Sequence, residues 1–274
     1  MAVDPHFAAR GAPPGSLRWH ALLYASSGQR DRLAAAFALE AELREISRGG
    51  LDHGAAHGKL DWGGGKSPGL ARGEPRHPLT RMLATRAACP ATLGAALQQA
   101  LGATGIELAQ AVLQDESELE QYLQGSGAAP LLLASAGTGG DADDAHLAAA
   151  CGRLLRLTEI IRDLRHDGWR GRVLVPWNWV EEAGLDLEAL RAEGADPRRR
   201  ALLQRLAALA RRHWAEAPAD GRGRPERRAL QVLAALHLAL LDRMEKRGFA
   251  TGTARTGLPP FTRLVVAWRA ARRA

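Results

Sequence analysis

Residues 156–176 read "RLTEIIRDLRHDGWRGRVLVP" and decide the fold. The stretch is the end of a helix that starts near Asp144 and runs to about His166, followed by a loop or short extended run to Pro176. Asp163 and Asp167 are four residues apart, so on a helix both carboxylates leave one face, with Cβ atoms about 5–6 Å apart. Such a pair suits Mg²⁺, a hard cation that takes one or two protein carboxylates and completes its shell with water and phosphate oxygens. Arg162, Arg165, Arg170 and Arg172 crowd the same stretch, and a guanidinium offers a planar fork to phosphate. The other reading is a charged helix end made of ordinary ion pairs, and spacing alone leaves both open.

Outward from this helix the pattern stays helical. Segments 29–47, 79–88, 92–101, 105–124, 197–214 and 226–247 follow helical periods, with a short helix in "LDLEALRAEG" and a terminal one ending in "RAARRA". Asp196-Pro197 opens one of them in the manner of a capped start. Residues 125–127 read as a turn, 131–136 as a short apolar run and 51–73 as a glycine-laden loop. Residues 1–16, with Pro5, Pro13 and Pro14, read as a loose tail. No alternating strand series and no fixed repeat occurs. The expectation is an all-α chain with one large helical bundle over 17–274.

Composition agrees. In 274 residues, 46% are hydrophobic and 24% charged, and only 5% are aromatic, which favours helices over sheets. The formal charge of +7 suits an anionic partner, although the basic residues are dispersed. Cys89 and Cys151 form no Cys-x-x-Cys pair, so neither zinc nor a disulfide framework is expected. The first residues lack the apolar core of a signal peptide, and the apolar stretch 229–241 is too short to span a bilayer. These features point to the cytoplasm and leave peripheral contact with the inner membrane open.

The order of residues around the aspartate pair resembles the second aspartate-rich motif of the squalene/phytoene synthase family, Q-L-T-N-I-L-R-D-x-x-x-D-x-x-R-G-R-x-Y-L-P. Leu157, Thr158, Ile160, Arg162, Asp163, Asp167, Arg170, Gly171, Arg172 and Pro176 fall in its places. Upstream, "FALEAELREI" is similar to the helix that carries the family's first motif, and "KLDWGGGKSPGLARGEPRHPL" to its "RLxWWxxEL…GEPxHP" stretch. The resemblance implies an isoprenoid-synthase fold with a central cavity, and head-to-head joining of two prenyl diphosphates such as farnesyl or geranylgeranyl diphosphate. It also implies Asp163 and Asp167 as Mg²⁺ ligands, with Arg162, Arg170 and Arg172 as diphosphate contacts.

The first motif, D-D-x-x-D, departs from the pattern. Its places hold Arg44, Glu45 and Arg48, and an arginine has no lone pair to give a metal. Glu159 stands at the pattern's asparagine, Leu174 at its tyrosine, and Gly63-Gly64-Gly65 at its second tryptophan. Two metal clusters in a dry pocket are needed to ionise two substrates, so reduced or lost activity is expected. The pattern resembles a branch of the family that includes a mitochondrial homologue involved in complex I assembly, and a binding or assembly role is the alternative. Arg44 or Arg48 is expected to pair with Asp163 or Asp167 across the cavity.

Other features rank lower. "GGGKS" lacks phosphate-loop spacing and a preceding strand, and His53 with His57 sits among glycines. Trp169, Trp177 and Trp179 read as core residues rather than a membrane belt. His20, His213 and His237 read as partly buried helix residues, with no nucleophile beside them. No nucleic-acid recognition module is present.

Overall fold

The computed structural model describes residues 4–48, 58, 67–85, 87, 89–136, 141–218, 224–250 and 254–274. Among them the chain is helical and holds no strand, as expected. The helices are α1 (Pro5–Gly11), α2 (Leu17–Leu22), α3 (Ser27–Arg48), α4 (Ser67–Ala71), α5 (Pro78–Ala84), α6 (Pro90–Leu108) and α7 (Glu116–Leu123). After a π turn (Gln124–Ala128) come α8 (Ala129–Ser135), α9 (Ala142–Trp169), α10 (Trp177–Glu182) and α11 (Leu187–Arg191). The last three are α12 (Pro197–Ala215), α13 (Pro225–Lys246) and α14 (Pro260–Arg273). His53, His57 and most of "GGGKS" fall outside the described residues.

Helix α9 is the axis of the bundle. It packs on α12, α13, α8, α11 and the π turn, and it is buried on nearly every side, as a central helix must be. Its start is capped by Asp141, whose carboxylate accepts from the Asp144 amide, with two further acids in the first turn. Buried Arg227 of α13 binds Asp141 at 3.1 Å and also Asp144, which fixes this end against its neighbour.

The other end of α9 explains the opening stretch. Gly171, at φ 75°, adopts the left-handed conformation that glycine accepts without strain. The Gly171 amide then donates to Gly168 O at 3.0 Å and the Arg172 amide to Asp167 O at 2.9 Å, a Schellman termination. That turn folds Arg172 back over the helix it follows, and its guanidinium meets Asp167 at 2.8 Å. The Arg-Gly-Arg is thus first of all a helix stop that seats a cation on Asp167.

Several expectations change: the segments read as helices 92–101 and 105–124 are a single helix, Pro90–Leu108, and a separate short one, Glu116–Leu123. Residues 5–11, read as part of a loose tail, form a helix capped by Asp4 and started by Pro5. Gly11 lets that helix lie on α3, since a Cβ there would sit 2.3 Å from the Ala38 amide nitrogen. Residues 125–127, read as a turn, form the π turn, and the apolar run after them is α8. Gly127 and Gly152 are where the π turn and α9 touch: a Cβ on Gly152 would lie 2.1 Å from Gly127 O. These glycines serve a close backbone crossing rather than a chain reversal.

Candidate functional site

The facing walls are α3 and α9, and charged side chains bridge them. Arg44 of α3 binds Glu40 one turn earlier at 2.5 Å and reaches across to Glu159 of α9. Arg18 of α2 joins the same two carboxylates at 2.8 and 3.4 Å and lies over the Phe37 ring at 4.9 Å. On the inner side Arg156 binds Glu107 at 2.7 Å and Glu159 at 3.5 Å, and its Nε donates to the Tyr122 hydroxyl at 3.0 Å. Tyr122 in turn donates to Glu107 at 2.6 Å, and Ser47 donates to the other oxygen of Glu107 at 3.0 Å. Arg156, Glu107, Glu159 and Tyr122 are all buried.

Burial of these groups is offset by pairing. Burial would raise the Glu159 carboxyl, but Arg44, Arg18, Arg162 and Arg156 hold it well below the usual carboxylate range. Arg44 loses solvation on burial, yet Glu159 and Glu40 push its pKa up. Burial also raises the Tyr122 phenol, which stays protonated and donates. Each carboxylate that would be costly alone is therefore matched by a guanidinium.

The aspartate pair lies further along α9, and both members are buried. Asp163 Oδ1 accepts from Arg162 Nε at 2.9 Å and lies 2.9 Å from Arg255 Nε, while Oδ2 accepts from Arg162 at 2.8 Å. Burial opposes its ionisation, but the Arg162 hydrogen bond and the charges of Arg162 and Arg255 keep its pKa low. Asp167 is held by Arg172, which is buried with it. Arg170, the third arginine expected at a diphosphate, is exposed at the C-cap of α9.

The expected cross-wall pairing occurs, but one turn away from where it was expected. Arg44 binds Glu159, not Asp163 or Asp167, because Asp163 already has Arg162 and Arg255. Glu45 turns outward, with its side chain 60% exposed, and pairs with Arg10 of α1. The side chain of Arg48 lies outside the described residues. Arg18, Glu40, Glu107, Tyr122, Arg156 and Arg255 were missed from sequence. Only Arg156 carries a signal there: it stands at the first position of the motif, where the pattern has glutamine.

Mg²⁺ needs oxygen atoms with lone pairs to spare. At the first motif Arg44 offers none and Glu45 points away. At the second, two Arg162 N–H groups occupy the Asp163 oxygens and the Arg255 guanidinium stands 2.9 Å from one of them. Among the described residues, no group of three or more His, Cys, Asp or Glu side chains is gathered for a metal. The donor set does not fit the ion that the resemblance implies.

The tryptophans divide. Trp179 is buried, with Arg205 stacked at 3.7 Å, and Trp177 is partly buried, its indole N–H donating to Glu181 at 2.8 Å. Trp169 is exposed and lies under Arg191 at 5.8 Å.

His237 of α13 is buried beside this lattice, within the fields of Glu159, Arg18 and Arg162. Burial lowers its pKa to about 4, and its Nδ1 lies 2.9 Å from Leu233 O, a contact that places the proton of the neutral ring there. Below pH 6.5 the unfolded chain takes up a proton that the folded ring refuses, so stability falls from there down to about pH 4. Between pH 7 and 5 the wild type is expected to lose about 2 kcal/mol more than His237→Gln. Denaturant titrations of both proteins at the two pH values measure this, and parallel losses would refute it. The Glu159 contribution is lost only at lower pH, because its folded pKa lies well below the carboxylate range.

The squalene/phytoene synthase family profile matches residues 18–267. A phytoene synthase of Thermus thermophilus is 32% identical over 139 residues, 50% of this chain and 48% of that protein. A presqualene diphosphate synthase of Zymomonas mobilis is 35% identical over 105 residues, 38% of this chain and 36% of that one. These matches thus span about half, or less, of each curated relative's length. Among solved structures, a dehydrosqualene synthase in complex with ligand gives a TM-score of 0.78 at 16% identity, covering 93% of this chain and 90% of that one. A squalene synthase from Alicyclobacillus acidocaldarius gives 0.65 at 18% identity, covering 91% and 98%. At these identities the structural likeness establishes the all-α isoprenoid-synthase fold alone.

Proposed function

Because the chain belongs to the squalene/phytoene synthase family, we propose that it handles prenyl diphosphates such as farnesyl or geranylgeranyl diphosphate, with head-to-head condensation reduced or lost. It would bind the diphosphate in the cytoplasm or at the inner membrane surface, through guanidiniums rather than metal. The observation that carries this reading is the Arg44–Glu159 bridge, which puts a cation where the first motif needs a carboxylate.

The exposure of guanidiniums at the edge of the lattice supports this reading. Arg255 is 46% exposed, with Arg162 at 23% and Arg44 at 22%. A diphosphate arriving there offers oxygens to their forks in exchange for bonds to Asp163 and Glu159. Without a fitted metal to stabilise the leaving group, that contact gives binding rather than bond cleavage. An assembly role is compatible with the same lattice, since a bound prenyl ligand would stabilise the fold that a partner reads.

Incubation of the protein with farnesyl diphosphate and Mg²⁺ should give saturable binding with no sustained pyrophosphate release. Arg255→Gln with Arg162→Gln should weaken that binding on the order of tenfold or more, as expected for two charge-assisted contacts. Steady multiple-turnover release that disappears in Asp163→Ala would reinstate the enzyme and refute the reading. No binding at all would refute it from the other side.

A further inference from the structure

Helix α14 is built inside out for a soluble surface. Its inner side is small: Ala267 is buried, with Val266, Ala270 and Ala271 packed partly against α13 and α2. Its bulky residues face away. Phe261 is 76% exposed, Leu264 52% and Trp268 50%. Six large hydrophobic side chains are exposed among the described residues, and these three lie on one helix. Their spacing, i, i+3 and i+7, makes them a single stripe.

The last turns are cationic, with Arg272 in line with the stripe and Arg269 and Arg273 on the flank of the helix, beside Val266 and Ala270. Arg269, Arg272 and Arg273 are exposed in the last turns, and the Arg272 guanidinium sits 4.9 Å from the Trp268 ring centroid. The helix contains no aspartate or glutamate. Arg263 is turned inward, donating to Leu258 O at 2.7 Å and to Gly15 O, so the helix is anchored at its start and not merely hanging.

An exposed apolar stripe of this size marks an interaction surface, and charge selects the occupant. A second copy meeting the same face would bring two sets of three arginines together with no acid between them. Nucleic acid would answer the arginines but leave phenylalanine, leucine and tryptophan facing phosphate. A stripe of Phe, Leu and Trp edged by arginine is the composition of a helix lying in a membrane interface. None of the described helices is long and apolar enough to cross a bilayer, so the contact is in-plane.

We infer that α14 docks the protein on an anionic phospholipid surface, with Phe261, Leu264 and Trp268 in the acyl boundary and Arg269, Arg272 and Arg273 against lipid phosphates. This deepens the membrane part of the function proposed above, but it rests on residues apart from the ion-pair lattice. It puts the membrane face on the C-terminal helix.

The test is co-sedimentation of the whole chain with vesicles of phosphatidylcholine alone or mixed with phosphatidylglycerol. Wild type should pellet with the mixed vesicles and stay in solution with the neutral ones. Phe261→Ser/Leu264→Ser/Trp268→Ser should abolish pelleting, and Arg269→Gln/Arg272→Gln/Arg273→Gln should weaken it on the order of tenfold or more. Both variants change exposed side chains and should keep the wild-type melting curve and farnesyl diphosphate binding. Wild type left in the supernatant with the mixed vesicles would overturn the inference, as would a stripe variant that pellets normally. A stripe variant that turns a wild-type dimer into a monomer without changing pelleting would assign the face to a second copy instead. Loss of farnesyl diphosphate binding in a wild type that still pellets would count against the proposed function and not against this face.

Discussion

Alanine at Gly152 should lower the thermal midpoint by about 10 °C or prevent folding outright, corresponding to roughly 3 kcal/mol or more of overpacking. The added Cβ would lie 2.1 Å from Gly127 O, 2.6 Å from Gly127 C and 2.8 Å from the Ala128 Cα. All three are backbone atoms, so no side chain can swing away to make room. Either α9 or the π turn must move, and α9 carries Arg156, Glu159, Arg162 and Asp163. The measurement is a circular-dichroism melt beside Gly102→Ala, a change in the exposed interior of α6 where a new Cβ meets nothing within 4 Å. That control should gain up to about 1 kcal/mol from helix propensity. A Gly152→Ala protein that melts with the wild type would refute the close crossing.

Methionine at Arg156 should cost about 3–5 kcal/mol, the usual penalty for stranding one member of a buried ion pair. Arg156 is 2% exposed and is the cation that meets the buried Glu107 carboxylate. Without it Glu107 loses the Arg156 guanidinium, while the hydroxyls of Tyr122 and Ser47 still donate to it. Glu159 suffers less, because Arg44 and Arg18 remain. Thermal unfolding should shift down by roughly 6–20 °C for a chain of this size. The double variant Arg156→Met/Glu107→Gln removes both charges and should recover about 1 kcal/mol or more of the loss. Additive destabilisation in the double variant would show that the two groups do not share an interaction.

Two of the long helices were legible because their apolar period is strong and their ends carry recognised residues, whereas Pro90–Leu108 was split by its Gly102 and Gly105. The segment read as 29–47 is Ser27–Arg48, and that read as 226–247 is Pro225–Lys246. Short elements were not. Residues 129–135 are apolar without a polar face, so period alone could not separate buried helix from strand. Residues 5–11 were read from their prolines, although Asp4-Pro5 is a capped start and Gly11 a contact point. At the site, the family resemblance singled out Asp163, Asp167 and Arg44, but not the side chains they meet: Arg162 and Arg255, Arg172, and Glu40 with Glu159. Glu159 counted as a lost asparagine, when it is the carboxylate that neutralises Arg44 and Arg18. Tyr122 and Glu107 lie 34 and 49 residues from Arg156, too far for spacing to join them.

The Arg255–Asp163 contact has a consequence for how a greasy ligand would arrive. Arg255 lies five residues before Pro260, so the lattice edge is at most about 18 Å of extended chain from the start of α14. With that helix seated on lipid, the lattice edge stands within about 18 Å of the acyl boundary, less than half the thickness of a bilayer counted with its headgroups. An isoprenoid tail could then slide from the leaflet toward the arginines without being dissolved in bulk water first. Occupancy would follow the mole fraction of the ligand in the bilayer rather than its aqueous concentration, and adding empty vesicles would dilute it.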